Sequence, residues 1–394
     1  MANLRLEAYG ESSKLKIALV TYPQPNIETS TLSVFLPNFL DLLQPLCSDI
    51  YVITGDFKVY GEKVHLLSIR ADHKKQWILI RIFKHIATQL KISAKLAQII
   101  GKVDIVIFFV SGPLLLPILL AKLLRKKVSI CATGLSSEGA KYFYKGFARF
   151  ISYKAYKALE HFCFTLADQI AVESKSVAQF HNLSKYQKKI SINGALYIDT
   201  NLFTVQKDLA KREKLIGYVG RVTAVKGVKN FVKAMPLILK KYSDVRFLIV
   251  GEGEQLDEIK KQVEIDGLCD KVTFTGWVPR NELPNFYNQL MLLVFPSNSE
   301  GVPGVVQEAM ACGTPVLATS VGGIPDLIKD GETGFIMEDN SLESIAKNVI
   351  RALEHPDLEK IAKSARKFIE DEYTYEHMVR KCKIALDKLM ERKS

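Results

Sequence analysis

Two glutamates, Glu300 and Glu308, are separated by seven residues in a stretch that could bind an anion and a polyol together. The stretch follows the apolar run Met291–Phe295, which is typical of a buried strand, and it leads into a short helix. Pro303 suits the first position of that helix and Gly313 suits its C-terminal cap. The free N–H groups at such a helix start attract an anion. Because a carboxylate inside an apolar helix needs a partner, Glu308 predicts hydrogen bonds to sugar or ribose hydroxyls.

Two cations, Arg221 and Lys226, follow another predicted strand, Leu215–Val219. Gly220, between that strand and Arg221, allows a close approach of the backbone to a ligand. A glycine and two cations at the end of a strand predict a clamp for a diphosphate. The alternative is that Arg221 and Lys226 are ordinary surface residues on a connecting loop.

The two glutamates and the Gly301-Val302-Pro303-Gly304 segment between them resemble the signature of family 4 glycosyltransferases, and the resemblance extends over about residues 190–337. It implies that Glu300 contacts the donor sugar and Glu308 the nucleotide ribose. It also implies that Arg221 and Lys226 bind the donor phosphates and that the backbone at Val278 holds the base. The donor-binding residues implied are Gly220, Arg221, Lys226, Val278, Glu300, Gly301, Val302, Pro303, Gly304, Val305 and Glu308, and those implied in catalysis are Arg221, Lys226 and Glu300.

The resemblance further implies a mechanism and a fold. Relatives retain the anomeric configuration through front-face attack, so no protein nucleophile, metal or cofactor is expected. A nucleotide sugar is then a substrate, and we expect a UDP-sugar rather than a GDP-sugar. The implied fold is GT-B, with two Rossmann-like domains of doubly wound parallel sheets that face a cleft.

The N-terminal half departs from this family in two loops. The glycine-rich loop after the first strand is replaced by Pro23-Gln24-Pro25-Asn26-Ile27, and the family's catalytic-site histidine is missing from Thr133–Gly139. Ser136 or Glu138 could substitute for it on the acceptor side. The alternative is that this loop only connects a strand to a helix.

Alternating apolar runs and helical patterns support the α/β class. We predict residues 1–197 as an acceptor-binding domain, 198–373 as a nucleotide-sugar-binding domain and 374–394 as a helix that crosses back to the first. Helices are predicted at Ile78–Ile100 and over much of Ala140–Leu166. The predicted strands are Leu15–Thr21, Asp49–Thr54, Val64–Ile69, Asp104–Phe109, Val128–Ala132, Asp168–Glu173, Lys189–Ile192, Leu215–Val219, Val245–Val250, Lys271–Thr275, Met291–Phe295 and Pro315–Thr319.

The formal net charge of +12 is concentrated in one window, since residues 70–160 hold 17 Lys and Arg against 4 Asp and Glu. Basic residues recur there beside aromatic ones, which predicts contact with an anionic membrane surface through residues 81–95 and 141–157. The alternative is a solvated helix face over a packed aromatic core. The basic residues are Arg81, Lys84, Lys91 and Lys95, opposite Phe83, Ile86, Leu90, Ala94 and Ala97, and then Lys141, Lys145 and Arg149 beside Phe143, Phe147 and Phe150. No nucleic-acid-binding module is recognised.

Targeting and redox signals favour a cytoplasmic protein that binds peripherally to the inner face of the cell membrane. Residues 1–14 lack the apolar core of a secretory signal, and the six scattered cysteines predict free, mostly buried thiols. The apolar run Ile105–Leu124 is long enough to span a membrane, but its glycine and prolines favour a strand, a loop and a helix.

The sequence therefore predicts a hexosyltransferase that moves a sugar from a nucleotide sugar to a glycan or lipid-linked acceptor in cell-surface polysaccharide or glycolipid synthesis. Two alternatives stay open. One is a nucleotide-sugar epimerase of the same fold, which would need an acid/base pair and no acceptor. The other is a non-catalytic protein that binds a sugar or a partner, as the missing histidine suggests.

Overall fold

The computed structural model describes residues 15–23, 31–55, 60–70, 78–109, 112–194 and 196–392. These residues form two compact α/β units. The first unit contains the described residues up to 173, together with 182–196 and 378–392, and the second contains 174–181 and 197–377.

The first unit is built on a parallel sheet of seven strands in the order β3-β2-β1-β4-β5-β6-β7. Its central strands are buried along almost their whole length, because helices cover both faces of a parallel sheet. The strands are β1 Lys16–Val20, β2 Asp49–Thr54, β3 Val64–Ser68, β4 Ile105–Phe108, β5 Lys127–Cys131, β6 Gln169–Val172 and β7 Ile190–Ile192.

Five helices before residue 173 accompany this sheet: α1 Thr31–Leu43, α2 Ile78–Ile99, α3 Leu115–Leu123, α4 Ser136–Phe143 and α5 Gly146–Leu166. The long helix predicted over much of 140–166 is confirmed as α5, and a short break separates it from α4. Tyr144 and Lys145 are extended, and Gly146 has a φ of 54°, a left-handed conformation that glycine adopts without strain.

The apolar run of residues 105–124 is divided between β4 and α3, as its glycine and prolines predict. Among the residues that the structure describes, no helix combines the length and the apolar character needed to cross a membrane. All six cysteines are free, and all but Cys269 are buried.

The second unit contains a parallel sheet of six strands in the order β10-β9-β8-β11-β12-β13. The order reverses between β8 and β11, which is the arrangement of doubly wound dinucleotide-binding folds. The strands are β8 Leu215–Val219, β9 Arg246–Val250, β10 Val272–Gly276, β11 Leu292–Phe295, β12 Val316–Thr319 and β13 Phe335–Met337. Tyr218, Phe247 and Phe335 are fully buried in the core that the helices close over this sheet.

The helices that follow are α6 Lys175–Phe180, α7 Val228–Leu239, α8 Leu256–Ile265, α9 Leu283–Tyr287, α10 Gly304–Ala311, α11 Ile324–Leu327, α12 Leu342–Leu353, α13 Leu358–Glu372 and α14 Tyr375–Glu391. All but α14 lie within the second unit, whereas α14 starts there and its residues from 378 onward belong to the first. In the first unit, the backbone carbonyl of Ala385 on α14 accepts a 2.7 Å hydrogen bond from Gln169 of β6.

One segment that precedes residue 197 belongs to the second unit. Residues 174–181, which include α6, group with the second unit. The reason is local to that unit: the Asp326 carboxylate on α11 accepts a 2.9 Å hydrogen bond from the Ser176 N–H on α6.

Candidate functional site

The loops that carry the predicted donor-binding residues all leave the same edge of the second sheet. Because its six strands are parallel, their carboxyl ends meet there. Strands β8 and β11 are neighbours, so the loop that begins at Gly220 lies beside the loop that carries Glu300. Strand β10 delivers Val278, which is half-buried, to the same edge.

The turn that carries Lys226 is attached to the loop after β11 by hydrogen bonds. The Asn298 N–H donates to the Val225 carbonyl at 2.8 Å, and the Asn298 side-chain amide also donates to carbonyls of the turn. Gly227 allows this approach, since a Cβ there would lie 2.1 Å from the Pro296 carbonyl oxygen. Backbone hydrogen bonds and close packing therefore join the two loops.

This attachment brings Lys226 and Glu300 into an ion pair. The Lys226 Nζ lies 2.5 Å from the Glu300 Oε1, and the two side chains are only 15% and 7% exposed. Lys226 also lies over the Phe295 ring, 5.5 Å from its centroid. One predicted phosphate ligand and one predicted sugar ligand thus neutralise each other in this structure.

The glycine pair Gly322-Gly323 contacts the backbone of Glu300 and Gly301. A Cβ at Gly322 would lie 2.0 Å from the Glu300 carbonyl oxygen, and its φ is 56°. The Gly323 N–H donates to the Gly301 carbonyl at 2.8 Å. Only glycine permits this backbone-to-backbone contact, and the contact fixes the position of the Glu300 loop relative to Gly322 and Gly323.

Helix α10 begins one residue later than predicted. Pro303 is its N-cap, with φ −76° and ψ 118°, and Gly304 is the first helical residue. The first hydrogen bond of the helix runs from the Val306 N–H to the Pro303 carbonyl at 3.1 Å, so the N–H groups of Gly304 and Val305 precede it. Gly313 follows the C-cap with φ 64°, as the sequence indicates for a helix end.

Glu308 is buried within α10 and has two protein partners. Its Oε1 accepts a 2.7 Å hydrogen bond from the Arg280 Nε, and its Oε2 accepts a 3.0 Å hydrogen bond from the Tyr287 hydroxyl. Burial raises the pKa of the Glu308 carboxyl, and the Arg280 charge opposes that rise. The expectation that Glu308 needs a partner is met by side chains of the protein itself.

Arg280 was not singled out in the sequence, although it lies two residues after Val278. Its guanidinium lies over the Phe203 ring, 5.2 Å from the centroid, and its Nη2 is buried without a hydrogen-bond partner among the described residues. Its position so soon after the predicted base-binding residue Val278 was the one signal in the sequence that could have marked Arg280 as a site residue. Its pairing with Glu308, 28 residues away, was not readable from the chain.

A buried arginine, Arg212, supports the elements around Glu308. Its Nη1 donates to the Leu290 carbonyl at 2.9 Å and to the Thr314 hydroxyl at 2.8 Å, and its Nη2 donates to the Cys312 carbonyl at 2.9 Å. Burial lowers its pKa to about 10. Arg212 thereby ties the end of α10 to the segment after α9.

Arg221 is exposed at the end of β8, and its carbonyl accepts a 2.7 Å hydrogen bond from the buried Tyr218 hydroxyl. Burial raises the pKa of Tyr218 far above its usual range, so this phenol stays a proton donor. The loop conformation is therefore fixed under Arg221, while its side chain stays accessible to a ligand.

The acceptor-side candidates Ser136 and Glu138 lie on α4 of the first unit. Glu138 forms a 2.6 Å ion pair with Lys141, which is one turn away. The Thr133–Gly139 segment is thus a strand-to-helix connection that also carries the start of α4.

Beneath α4 lies a second carboxylate that the sequence did not single out, Glu160. It is buried and accepts hydrogen bonds from the Ser137 N–H at 2.9 Å and the Ser137 hydroxyl at 2.6 Å. Burial raises its pKa. Glu160 therefore caps the helix that carries Ser136 and Glu138.

Residues 200–374 match the family model of glycosyl transferases group 1. That segment contains both ion pairs, Lys226–Glu300 and Arg280–Glu308. The match supports the resemblance of this segment to glycosyltransferases, while the family number stays a prediction.

Two curated relatives are glycosyltransferases. An uncharacterized glycosyltransferase of Methanocaldococcus jannaschii is 31% identical over 58% of this chain and 62% of its own length. The capsular polysaccharide biosynthesis glycosyltransferase CapM of Staphylococcus aureus is 29% identical over 58% of this chain and 63% of its own. The chain thus spans less than two thirds of the length of these relatives.

Solved structures share the fold over nearly the whole chain. Sucrose-phosphate synthase from Thermosynechococcus elongatus has a TM-score of 0.78 at 19% identity and covers 96% of this chain and 99% of its own. Anabaena HepE in complex with UDP-glucose has a TM-score of 0.71 at 15% identity and covers 96% and 100%. The predicted fold class, two Rossmann-like parallel-sheet domains of the GT-B type, is confirmed.

Proposed function

We propose that the protein is a retaining hexosyltransferase that moves a sugar from a UDP-sugar to a glycan or lipid-linked acceptor. The observation that carries the proposal is the meeting of two ion pairs with buried carboxylates, Lys226–Glu300 and Arg280–Glu308, at one edge of a Rossmann-like sheet. The polysaccharide role of the CapM relative favours cell-surface polysaccharide or glycolipid synthesis. The UDP-glucose complex of Anabaena HepE favours uridine.

The donor diphosphate is assigned to Arg221, Lys226 and the N–H groups at the start of α10. Cleavage of the sugar–phosphate bond builds negative charge on the departing diphosphate, and fixed donors aimed at that charge lower the barrier by about 3–4 kcal/mol each. Lys226 exchanges its bond to Glu300 for a phosphate oxygen. Glu300 is then released to accept hydrogen bonds from the donor sugar.

The ribose is assigned to Glu308. Arg280 and Tyr287 each occupy one lone pair of its carboxylate, so the remaining lone pairs have a fixed direction. The unpartnered Arg280 Nη2 provides one further donor for an oxygen of the nucleotide. A carboxylate held in this way accepts from a pair of hydroxyls without a loss of side-chain entropy on binding.

The acceptor is assigned to the first unit, with Ser136 and Glu138 in place of the family's histidine. A phosphate oxygen of the leaving diphosphate takes the proton of the acceptor hydroxyl, so the transfer needs no metal ion and no protein nucleophile. Attack and departure on the same face retain the anomeric configuration.

A thermal-shift panel of UDP, GDP and their sugars tests the donor assignment. We expect UDP to stabilise the protein and Arg221→Ala or Glu308→Ala to remove that shift. A thermal shift with GDP alone would indicate a guanosine donor instead of a uridine donor. The absence of a shift with any nucleotide would overturn the proposal. NMR of the UDP-sugar without an acceptor distinguishes the epimerase alternative, since interconversion of the sugar would contradict transfer.

A further inference from the structure

The first turns of α5 are exposed on every side. Each residue from Lys145 to Ile151 is exposed, and the side chains include Phe147 at 76%, Phe150 at 57% and Ile151 at 51%. The rings of Phe147 and Phe150 stack on each other with centroids 6.4 Å apart. The packed aromatic core considered as an alternative in the sequence is therefore wrong for these two residues, while the side chain of Phe143 lies outside the described residues.

The same helix segment carries charge of one sign only. Lys145, Arg149, Lys154 and Lys157 fall within it, and no acidic residue occurs before Glu160, which is buried and bonded to α4. The Lys154 ammonium lies over the Phe150 ring, 5.6 Å from its centroid. At Lys154 and Phe150, a basic and an aromatic group therefore share one exposed face, and Arg149 lies on another exposed side of the same turns.

Neighbouring helices expose large apolar side chains as well. Helix α3 contacts both α2 and α5, and each of these helices exposes large apolar side chains. Phe83 and Leu90 of α2 are 74% and 56% exposed, and Leu123 of α3 is 79% exposed. The apolar stripe predicted opposite the basic residues of α2 therefore faces solvent, and Ile92 and Leu96 form the buried side instead. Of the basic residues predicted on this helix, the side chain of Arg81 lies outside the described residues.

We propose that the exposed start of α5, residues 145–157, is a docking surface for an anionic lipid bilayer. Phe147, Phe150 and Ile151 enter the boundary between head groups and acyl chains, and the surrounding Lys and Arg residues contact the lipid phosphates. Interfacial helices combine these two features. The proposal concerns the first unit and does not depend on the donor assignment in the second.

Charge favours a lipid surface over a second copy of the chain. Self-association through this segment would bring Lys145, Arg149 and Lys154 of two copies together, and like charges in contact are unfavourable. The surface of an anionic bilayer is negatively charged over its whole area, so several basic residues near the helix start can contact lipid phosphates at the same time.

Co-sedimentation of the full chain with vesicles tests the proposal. We expect binding to vesicles of phosphatidylglycerol and phosphatidylcholine, little binding to phosphatidylcholine alone, and release at high salt. The double variant Phe147→Ser/Phe150→Ser should lose binding at least tenfold. Ile265→Ser on α8, where Ile265 is 79% exposed in the second unit, is the matched control and should bind as the wild type does.

Variants that remove positive charge measure the electrostatic contribution to vesicle binding separately from the apolar contribution. Arg149→Gln/Lys154→Gln should weaken binding by about fivefold for each residue removed, whereas Lys240→Gln/Lys261→Gln in the second unit should leave it unchanged. Equal sedimentation with both kinds of vesicle, or unchanged binding of the Phe147→Ser/Phe150→Ser variant, would overturn the proposal. A dimer on a sizing column that this variant dissociates would assign the surface to a second copy and would also overturn it.

Discussion

The Lys226 ammonium lies 2.5 Å from the Glu300 carboxylate, although 74 residues separate them in the chain. Both side chains are largely withdrawn from water. A buried pair of this kind is costly to break by removing one partner, since the other charge is left without compensation. Under the proposed function, a diphosphate bound to Lys226 would replace that compensation, so we expect this ion pair to couple donor binding to the release of Glu300.

Glu300→Gln tests this coupling. We expect UDP to bind about tenfold more tightly, by calorimetry, because the competing carboxylate is gone, a change of about 1.4 kcal/mol. The free energy of unfolding without UDP should fall by about 3 kcal/mol. Sugar transfer should fall by about a hundredfold, since Glu300 is assigned to the donor sugar. Weaker UDP binding by Glu300→Gln would contradict the competition, and Lys226→Met, which removes the cation itself, should bind UDP more weakly.

Arg280→Ala should weaken UDP binding through Glu308. Without the Arg280 charge the pKa of the buried Glu308 carboxyl rises further, so its ionised form is populated only at higher pH. Calorimetry across the pH range should show that the affinity of Arg280→Ala increases with pH, with a loss of about tenfold at neutral pH. Arg280→Lys should restore part of the affinity. Arg246→Ala, an exposed arginine at the start of β9, is the control, and an identical pH profile for Arg280→Ala and wild type would exclude the positioning role.

Glu308→Gln should change the pH dependence of stability. The folded-state pKa of Glu308 lies above its usual value, so the folded protein binds more protons than the unfolded chain in the interval between the two pKa values. The wild type therefore loses stability relative to Glu308→Gln as pH rises from about 4.5 through the folded-state pKa. Urea unfolding of both proteins at a series of pH values measures the difference. If the wild type instead lost stability relative to Glu308→Gln as pH falls, the folded-state pKa of Glu308 would be lowered and the prediction would be wrong.

Arg212→Met should destabilise the second unit by about 3 kcal/mol, because several buried carbonyls and the Thr314 hydroxyl lose their donor. The adjacent Lys211→Met removes a surface ion pair with Asp208 whose side chains are 74% and 63% exposed, and it should leave stability unchanged. Chemical denaturation compares the two variants. Equal stabilities would mean that Arg212 contributes no more than a surface cation.

Gly322→Ala should displace the Glu300 loop. The added Cβ would lie 2.0 Å from the Glu300 carbonyl oxygen, whereas a Cβ at Gly331 has no atom within 4 Å, although both glycines have positive φ. Gly331→Ala should therefore show only the backbone strain, about 1 kcal/mol. We expect a loss of at least about 3 kcal/mol for Gly322→Ala, with weaker UDP binding. Equal effects of the two substitutions on the melting temperature would rule out the close contact.

The parallel sheets could be predicted because their signals are local. The strand runs, such as Asp49–Thr54, are continuous apolar stretches bounded by turn residues, and the observed strands end within about two residues of the predicted ones. The long helix predicted over much of 140–166 is present as α5, but the break that separates it from α4 was not predicted. The break depends on one glycine in a left-handed conformation, Gly146, which a helix also tolerates.

The charged residues of the candidate site could likewise be chosen from the sequence, but which of them pair with each other could not be predicted. Glu300, Glu308 and Lys226 could be chosen because loops after parallel strands converge at one edge of a sheet. That Lys226 pairs with Glu300, and that Arg280 holds Glu308, depends on side-chain directions and on separations of 74 and 28 residues along the chain.

The sequence by itself determined the order of strands and helices, the residue types at the carboxyl edge of the second sheet and the basic character of the first unit. Only the tertiary structure decided which charges neutralise each other and which aromatic side chains face solvent. Local backbone preferences and apolar periodicity act between residues that are close in the chain. Ion pairing and burial depend on distances in space, which packing sets.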